Sequence, residues 1–239
     1  MRPLFRIVGL FMMLAALLLV VGCVDPPIDL RTRPAVQDET LVTGKPCLPP
    51  CWYEIISGET NTQDALNIVK RLSFVDPKSV VETTRDLYEN TDNSILWFYS
   101  GTPDFGGRLS IHRDRVIWYR VSYPNNLRFG DIVAQVGEPD WVWVGREGGA
   151  GTEHIFQFIF EARGLMLESR LYGAGTAKDG KVLLSSDIEI ADARYFQPQS
   201  LKDYLKNIVG ATETQTDQMK EAYQPWPGFG VSIEMRKLY

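Results

Sequence analysis

Apolar residues change their spacing along the chain, and the changes mark out elements. Arg2 and Arg6 precede an uncharged run from Ile7 to Val21. That run is short for a membrane span and fits the apolar core of a secretory leader over residues 1–22. From Asp25 to Pro46 there is no apolar period, only Pro26, Pro27, Pro34 and Pro46 among scattered charges. Such a stretch buries too little surface to offset its ordering entropy, so residues 23–46 are expected to be a flexible tether. As a coil it would reach roughly 30 Å. Helical spacing begins next: Ala65, Leu66, Val69 and Leu72 share one stripe, which predicts a helix over 62–72. Thr60 or Thr62 is its expected cap, Asp64 suits its first turn, and Asp76-Pro77 stops it.

Strand-like runs follow, at Val80 to Leu87, Ile95 to Tyr99, and a hairpin from Leu109 to Val121 turning at Arg113-Asp114. Leu127 to Pro139 reads as a second short amphipathic helix, stopped by Gly137 and Pro139. Four more strands are expected near 141–146, 154–161, 165–172 and 182–196. A helix over 200–209 starts at Ser200, and a weaker helical turn covers 216–223. One helix followed by four strands thus occurs twice. The predicted class is α+β: a tandem repeat of a helix and a four-stranded antiparallel sheet, with C-terminal helices. The first repeat would span 47–124 and the second 125–239.

Alternation assigns faces within each predicted hairpin. A two-residue turn at Arg113-Asp114 puts Leu109, Ile111, Val116 and Trp118 on one side. Arg108, Ser110, His112, Arg115, Ile117, Tyr119 and Tyr123 fall on the other. A turn at Arg163-Gly164 gathers Phe156, Phe158, Phe160, Leu165, Leu167 and Leu171 on one face. Gln157, Glu161, Glu168, Arg170 and Tyr172 share the opposite one. The mixed faces are either solvated sheet or a protein-binding surface, because exposed tyrosine and arginine are typical anchors. On the second reading the binding residues are His112, Arg115, Tyr119, Arg170 and Tyr172.

Composition narrows the class. The chain has 239 residues, 44% hydrophobic and 23% charged, enough for a core and unlike a disordered tail, a coiled coil or a collagen. The net charge of -5, with no long basic run, argues against nucleic-acid binding. Three cysteines and two histidines leave few ligands for a zinc site.

Val20-Val21-Gly22-Cys23 resembles a bacterial lipobox. The resemblance implies that Cys23 becomes the first mature residue, carries acyl chains such as palmitate, and anchors the chain outside the cytoplasm. The host membrane is either the cell membrane or the outer membrane, and two or more acyl chains hold a protein there stably. Cys47 and Cys51 then remain as an even pair in an oxidising compartment, which predicts a disulfide. A redox or metal pair is the alternative, but three intervening residues do not match the thioredoxin spacing and no histidine lies nearby.

Catalytic patterns are missing from the sequence: it has no Gly-x-Ser-x-Gly, His-Glu-x-x-His, P-loop or Asp-x-Asp-x-Asp-Gly. Gly145 to Gly151 reads as a hairpin loop rather than a phosphate cradle, since neither the lysine nor the helix follows. The same holds for Gly173-Ala-Gly175 with Lys178. His112 beside Asp114, and His154 beside Glu153, read as surface histidines before they read as acid–base pairs.

Pro50-Cys51-Trp52, Ile56-Ser-Gly58-Glu-Thr60 with the helix after it, Phe160-Glu-Ala-Arg-Gly164-Leu and Tyr195-Phe196-Gln-Pro198 before the Leu201 helix resemble a group of bacterial envelope lipoproteins. More remotely, the helix-plus-sheet units look like β-lactamase inhibitory protein and the small lipoprotein of the outer-membrane β-barrel assembly machine. In that wider family Gly-x-Thr opens the helix and Gly-x-Pro closes it. Gly58-Glu-Thr60 supplies the opening in the first unit and Gly137-Glu-Pro139 the closing in the second. The function expected is a lipid-anchored, non-catalytic binding or assembly module, with another envelope protein as partner and no metal or cofactor. The alternative is an envelope enzyme or small-ligand binder whose site is built from sequence-distant residues.

Overall fold

The computed structural model describes residues 38–83, 92–147, 153–172, 177–178 and 180–236. The leader, Cys23 and the glycines at 148–151 and 173–175 lie outside these residues, as does the expected strand beyond Thr83. No helix among the described residues is long and apolar enough to cross a membrane.

The body is mixed α+β. A helical turn α1 (Thr40–Thr43) leads into a small hairpin, β1 (Cys51–Trp52) and β2 (Ile55–Ile56), and helix α2 (Thr62–Arg71). Strands β3 (Val81–Thr83), β4 (Asn93–Tyr99), β5 (Thr102–His112) and β6 (Arg115–Arg128) follow, then helix α3 (Phe129–Val136). Next come β7 (Trp141–Glu147), β8 (Glu153–Phe160), β9 (Leu165–Tyr172), β10 (Ala177–Lys178), β11 (Lys181–Leu183) and β12 (Glu189–Phe196). Helices α4 (Leu201–Asn207) and α5 (Glu213–Ala222) precede two short strands, β13 (Gln224–Pro225) and β14 (Ser232–Glu234).

One antiparallel sheet of nine strands, ordered β13-β7-β8-β9-β12-β6-β5-β4-β3, organises the molecule. The meander β3–β6 and the strands β7, β8, β9 and β12 meet where β6 pairs with β12. The expected division at 124/125 therefore falls inside a strand, β6. A second small sheet, β10-β11-β14, takes up the C-terminal segment. It also splits the single strand expected over 182–196 into β11 and β12.

Local chemistry explains the element ends. Asn61, rather than a neighbouring threonine, caps α2 by accepting from the Asp64 amide at 2.8 Å. Gly137, at φ 101, stops α3 where a side chain would be strained. Ser200 caps α4, and Thr212 with Gln215 forms a capping box on α5. That box starts α5 three residues earlier than the apolar pattern implies. Arg113 and Asp114 make the expected two-residue hairpin with positive φ at both positions, 49 and 60.

Two apolar layers flank the sheet. The main core is covered by α1, α2 and α3 and contains Trp52, Trp97, Tyr119, Phe129, Phe158 and Tyr195, with Phe129 stacked on Phe158 at 3.9 Å. Trp97 lies across Gly107, where an added Cβ would stand 2.0 Å from the indole, so glycine there makes room for tryptophan. The second layer packs α4 and α5 on the other side through Trp118, Trp143, Ile159, Phe196, Leu205 and Met219.

Composition assigns Asp38–Pro46 to the tether, yet the structure packs its beginning into the core. Leu41 is fully buried, and Asp38 is 1% exposed. Its carboxylate accepts from Trp52 Nε1 at 2.7 Å, from the Thr40 amide and hydroxyl at 3.1 and 2.8 Å, and from Tyr123 Oη at 3.2 Å. Two residues that a window average dilutes are enough to order the segment, because one fills a pocket and the other satisfies buried donors.

Candidate functional site

Two of the depressions on the described surface have charged linings. The first, about 490 Å³, lies between the β1–β2 hairpin and α2 and is lined by Glu54, Glu59, Asp64, Asn67 and Arg71. Among the described residues, no three His, Cys, Asp or Glu side chains converge as a metal site. The second, about 310 Å³, lies on the sheet face opposite α2, and its chemistry is more pointed.

Register builds it. Leu96 pairs with Arg108, Arg108 with Arg120, and Arg120 with Arg194, so three arginines stand side by side on β5, β6 and β12. Like charges directly opposite one another weaken a sheet unless something compensates. Part of the compensation is internal. Asp192 grips Arg120 bidentately, at 3.0 Å to Nε and 2.6 Å to Nη2, and accepts from Ser122 at 2.6 Å. Arg108 donates to Ser94 through Nε and Nη2, at 3.2 and 3.0 Å. Partial burial lowers the Arg108 pKa, and the group stays charged at neutral pH. Arg194 lies 5.2 Å above the Trp118 ring and donates from Nη1 to Tyr204 of α4 at 3.2 Å. Its Nε is buried and has no hydrogen-bond partner among the described residues.

Helices α4 and α5 cover this face over β7, β8 and β9, and the Tyr204 wall stops at Arg194. Beyond the wall the face is open: Phe98 is 45% and Val81 53% exposed. Val81 pairs with Leu96, and Leu96 and Phe98 are two apart on one strand, so an apolar strip borders the arginine row. On the other side of the row, Glu168 binds Arg170 at 2.8 Å and accepts from Gln157 at 3.1 Å.

The residues expected to form a binding face are only partly brought together. Tyr119 is corrected outright: it is fully buried in the main core, donating to the carbonyls of Pro50 at 2.7 Å and Ile55 at 3.0 Å. The cause is a bulge. Pairing slips between Ser110 and Ile111, so Ile117 is an extra residue on β6. Val116 keeps its expected place in the main core, but Trp118 turns to the opposite layer and Tyr119, Val121 and Tyr123 turn inward. His112 and Arg115 pair at the hairpin tip, away from the arginine row. His112 Nδ1 lies 3.3 Å from Asp92, and Arg115 donates to the Glu59 carbonyl. The Arg113 amide bond, with help from His112, holds the Asp92 carboxyl below its usual pKa. Arg170 does lie on the second face, tied to Glu168. Tyr172 ends β9, paired through its backbone with Glu153. Of the other histidine, the structure shows burial on β8, with 2% exposure, rather than a surface position.

Cys47 and Cys51 are joined, with sulfurs 2.08 Å apart. Arg120 and Arg194 escaped sequence reading because they meet only through the β6–β12 pairing, a contact between residues 74 apart in the chain. Comparison with protein families, with characterised proteins and with solved structures finds no match to the chain.

Proposed function

We propose that this chain is a lipid-anchored extracytoplasmic binding or assembly module that holds a partner protein on the open half of its sheet. The observation that carries the reading is the arginine row bordered by an exposed apolar strip. Arginine and aromatic residues are enriched in protein–protein contacts, and here the arginine row and exposed Phe98 share one open face, with Trp118 buried beneath Arg194. The lipobox-like Val20 to Cys23 supports anchoring through Cys23, on either the cell or the outer membrane. The strand order, two runs meeting at β6 and β12 with α2 and α3 before them, supports a duplicated helix-plus-sheet unit. The binding residues of this reading are Phe98, Arg108, Arg120 and Arg194, with Trp118 supporting Arg194 from beneath.

A photo-crosslinking amino acid at Phe98, compared with one at exposed Lys70 on the far side, tests the reading in native membranes. A discrete adduct from position 98 and none from position 70 is expected. No adduct at 98 under conditions where the probe crosslinks a control protein would refute it.

A further inference from the structure

We infer that the depression beside Arg194 receives a carboxylate side chain from the partner protein, next to an apolar side chain that covers Phe98. This rests on the binding-module reading and names its chemistry. The protein as a whole is acidic at -5, yet the described residues of this face include Arg108, Arg120, Arg170 and Arg194, with Asp192 on Arg120 and Glu168 on Arg170. Arginine presents a planar fork that takes a carboxylate through two parallel bonds. The molecule already shows that arrangement once, in Asp192 on Arg120. Arg194 is the neighbouring fork. Trp118 supports its plane, Tyr204 holds Nη1, and the residue lines the cavity.

The size and surroundings of the cavity select the source of the acid. About 310 Å³ accommodates a single side chain rather than a folded element. Val81, Leu96 and Phe98 beside it offer apolar contact that a bare phosphate or sulfate would leave unused. A peptide segment with Asp or Glu next to an aliphatic or aromatic residue satisfies both halves of the site. Rim charges elsewhere on the chain steer the encounter and contribute little to its strength.

Selection of a displayed random dodecapeptide library on the full chain tests this, followed by titration of fluorescein-labelled winners. The winners are expected to carry an acidic residue adjacent to an apolar one. Their affinity should fall tenfold or more with Arg194→Gln and several-fold with Phe98→Ala, and it should weaken as salt rises. Arg194→Lys should recover part of the loss. Thermal unfolding of each variant guards against a folding defect; Phe98, 45% exposed, carries little risk of one. Basic or uncharged winners, no enrichment at all, or Arg194→Gln binding within twofold of wild type would overturn the proposal. So would binding to phosphatidylglycerol vesicles that the winning peptides displace. If position 98 crosslinks a partner while the peptides are not acidic, the face binds and only its carboxylate specificity is wrong.

Discussion

Asp38 shows how much one side chain decides. It is a carboxylate taken from water, and burial raises its pKa above the ordinary 3.8 although Trp52, Thr40 and Tyr123 all donate to it. Burial also raises the phenols of Tyr119, Tyr123 and Tyr195, which therefore remain neutral donors. The folded chain thus holds a proton at Asp38 that the unfolded chain has released. Stability falls as pH rises from 3.8 through the raised value, and it is greatest at the acidic end of that window. Urea unfolding midpoints followed upward from pH 3.8 should show this slope, and Asp38→Asn should flatten it. Asp38→Ala should cost about 1–3 kcal/mol throughout, because it leaves the buried indole N–H of Trp52 without its acceptor. A slope unchanged in Asp38→Asn would place the titration elsewhere. Nothing in the run of residues 25–46 marks Asp38 as different from the acids around it. Its role depends on Trp52, Tyr123 and Tyr195, which only the fold brings to it.

At the level of elements, the sequence was legible wherever one period persisted. Helices α2, α3 and α4 lie close to their expected ranges, and the Phe156 and Leu167 face packs in the main core as expected, because β8 and β9 pair without a bulge. On β6 it is broken. Apolar residues at 116, then 119, 121 and 123, with Arg120 and Ser122 between, mark the phase change at Ile117. Extending one phase through it inverted the assignment of Tyr119. The α4–α5 pair depends on charge as well as apolar packing. Glu213 receives Lys202 at 2.5 Å and Lys206 at 2.8 Å, which lowers its pKa from 4.5 to about 2. This contribution is fully present above pH 4.5 and is lost as pH falls from 4.5 to about 2. Thermal midpoints at pH 6 and pH 3 should therefore differ by less in Glu213→Gln than in wild type. Because these groups are exposed, the difference should shrink in 1 M salt. An equal pH response in the variant would show that the pair is electrostatically idle.

The molecule as a whole is held together at the β6–β12 seam. Seven residue pairs, from Glu189 with Arg128 to Phe196 with Trp118, join two strands that α3 and β7 to β11 separate in the chain. Tyr119 and Tyr195 stack across the seam at 4.7 Å, and Asp38 links Trp52 on one side to Tyr123, which meets Tyr195 at 3.3 Å. The open face also needs the seam, since Arg120 and Arg194 come from the two strands it joins. Residues 47–124 and 125–239, attractive as separate units on the sequence pattern, would each be left with a long unpaired edge and an exposed aromatic core. Expressed separately, they should lack near-UV circular dichroism and should unfold without a sigmoidal transition. The intact chain should give one urea transition, coincident by fluorescence and far-UV signals. Mixing the two fragments should restore the aromatic signal if the seam can reform between chains. A cooperative transition in either fragment alone would show that the half-sheet is self-sufficient. The seam would then be an interface between domains, and the arginine row would sit between two bodies able to move.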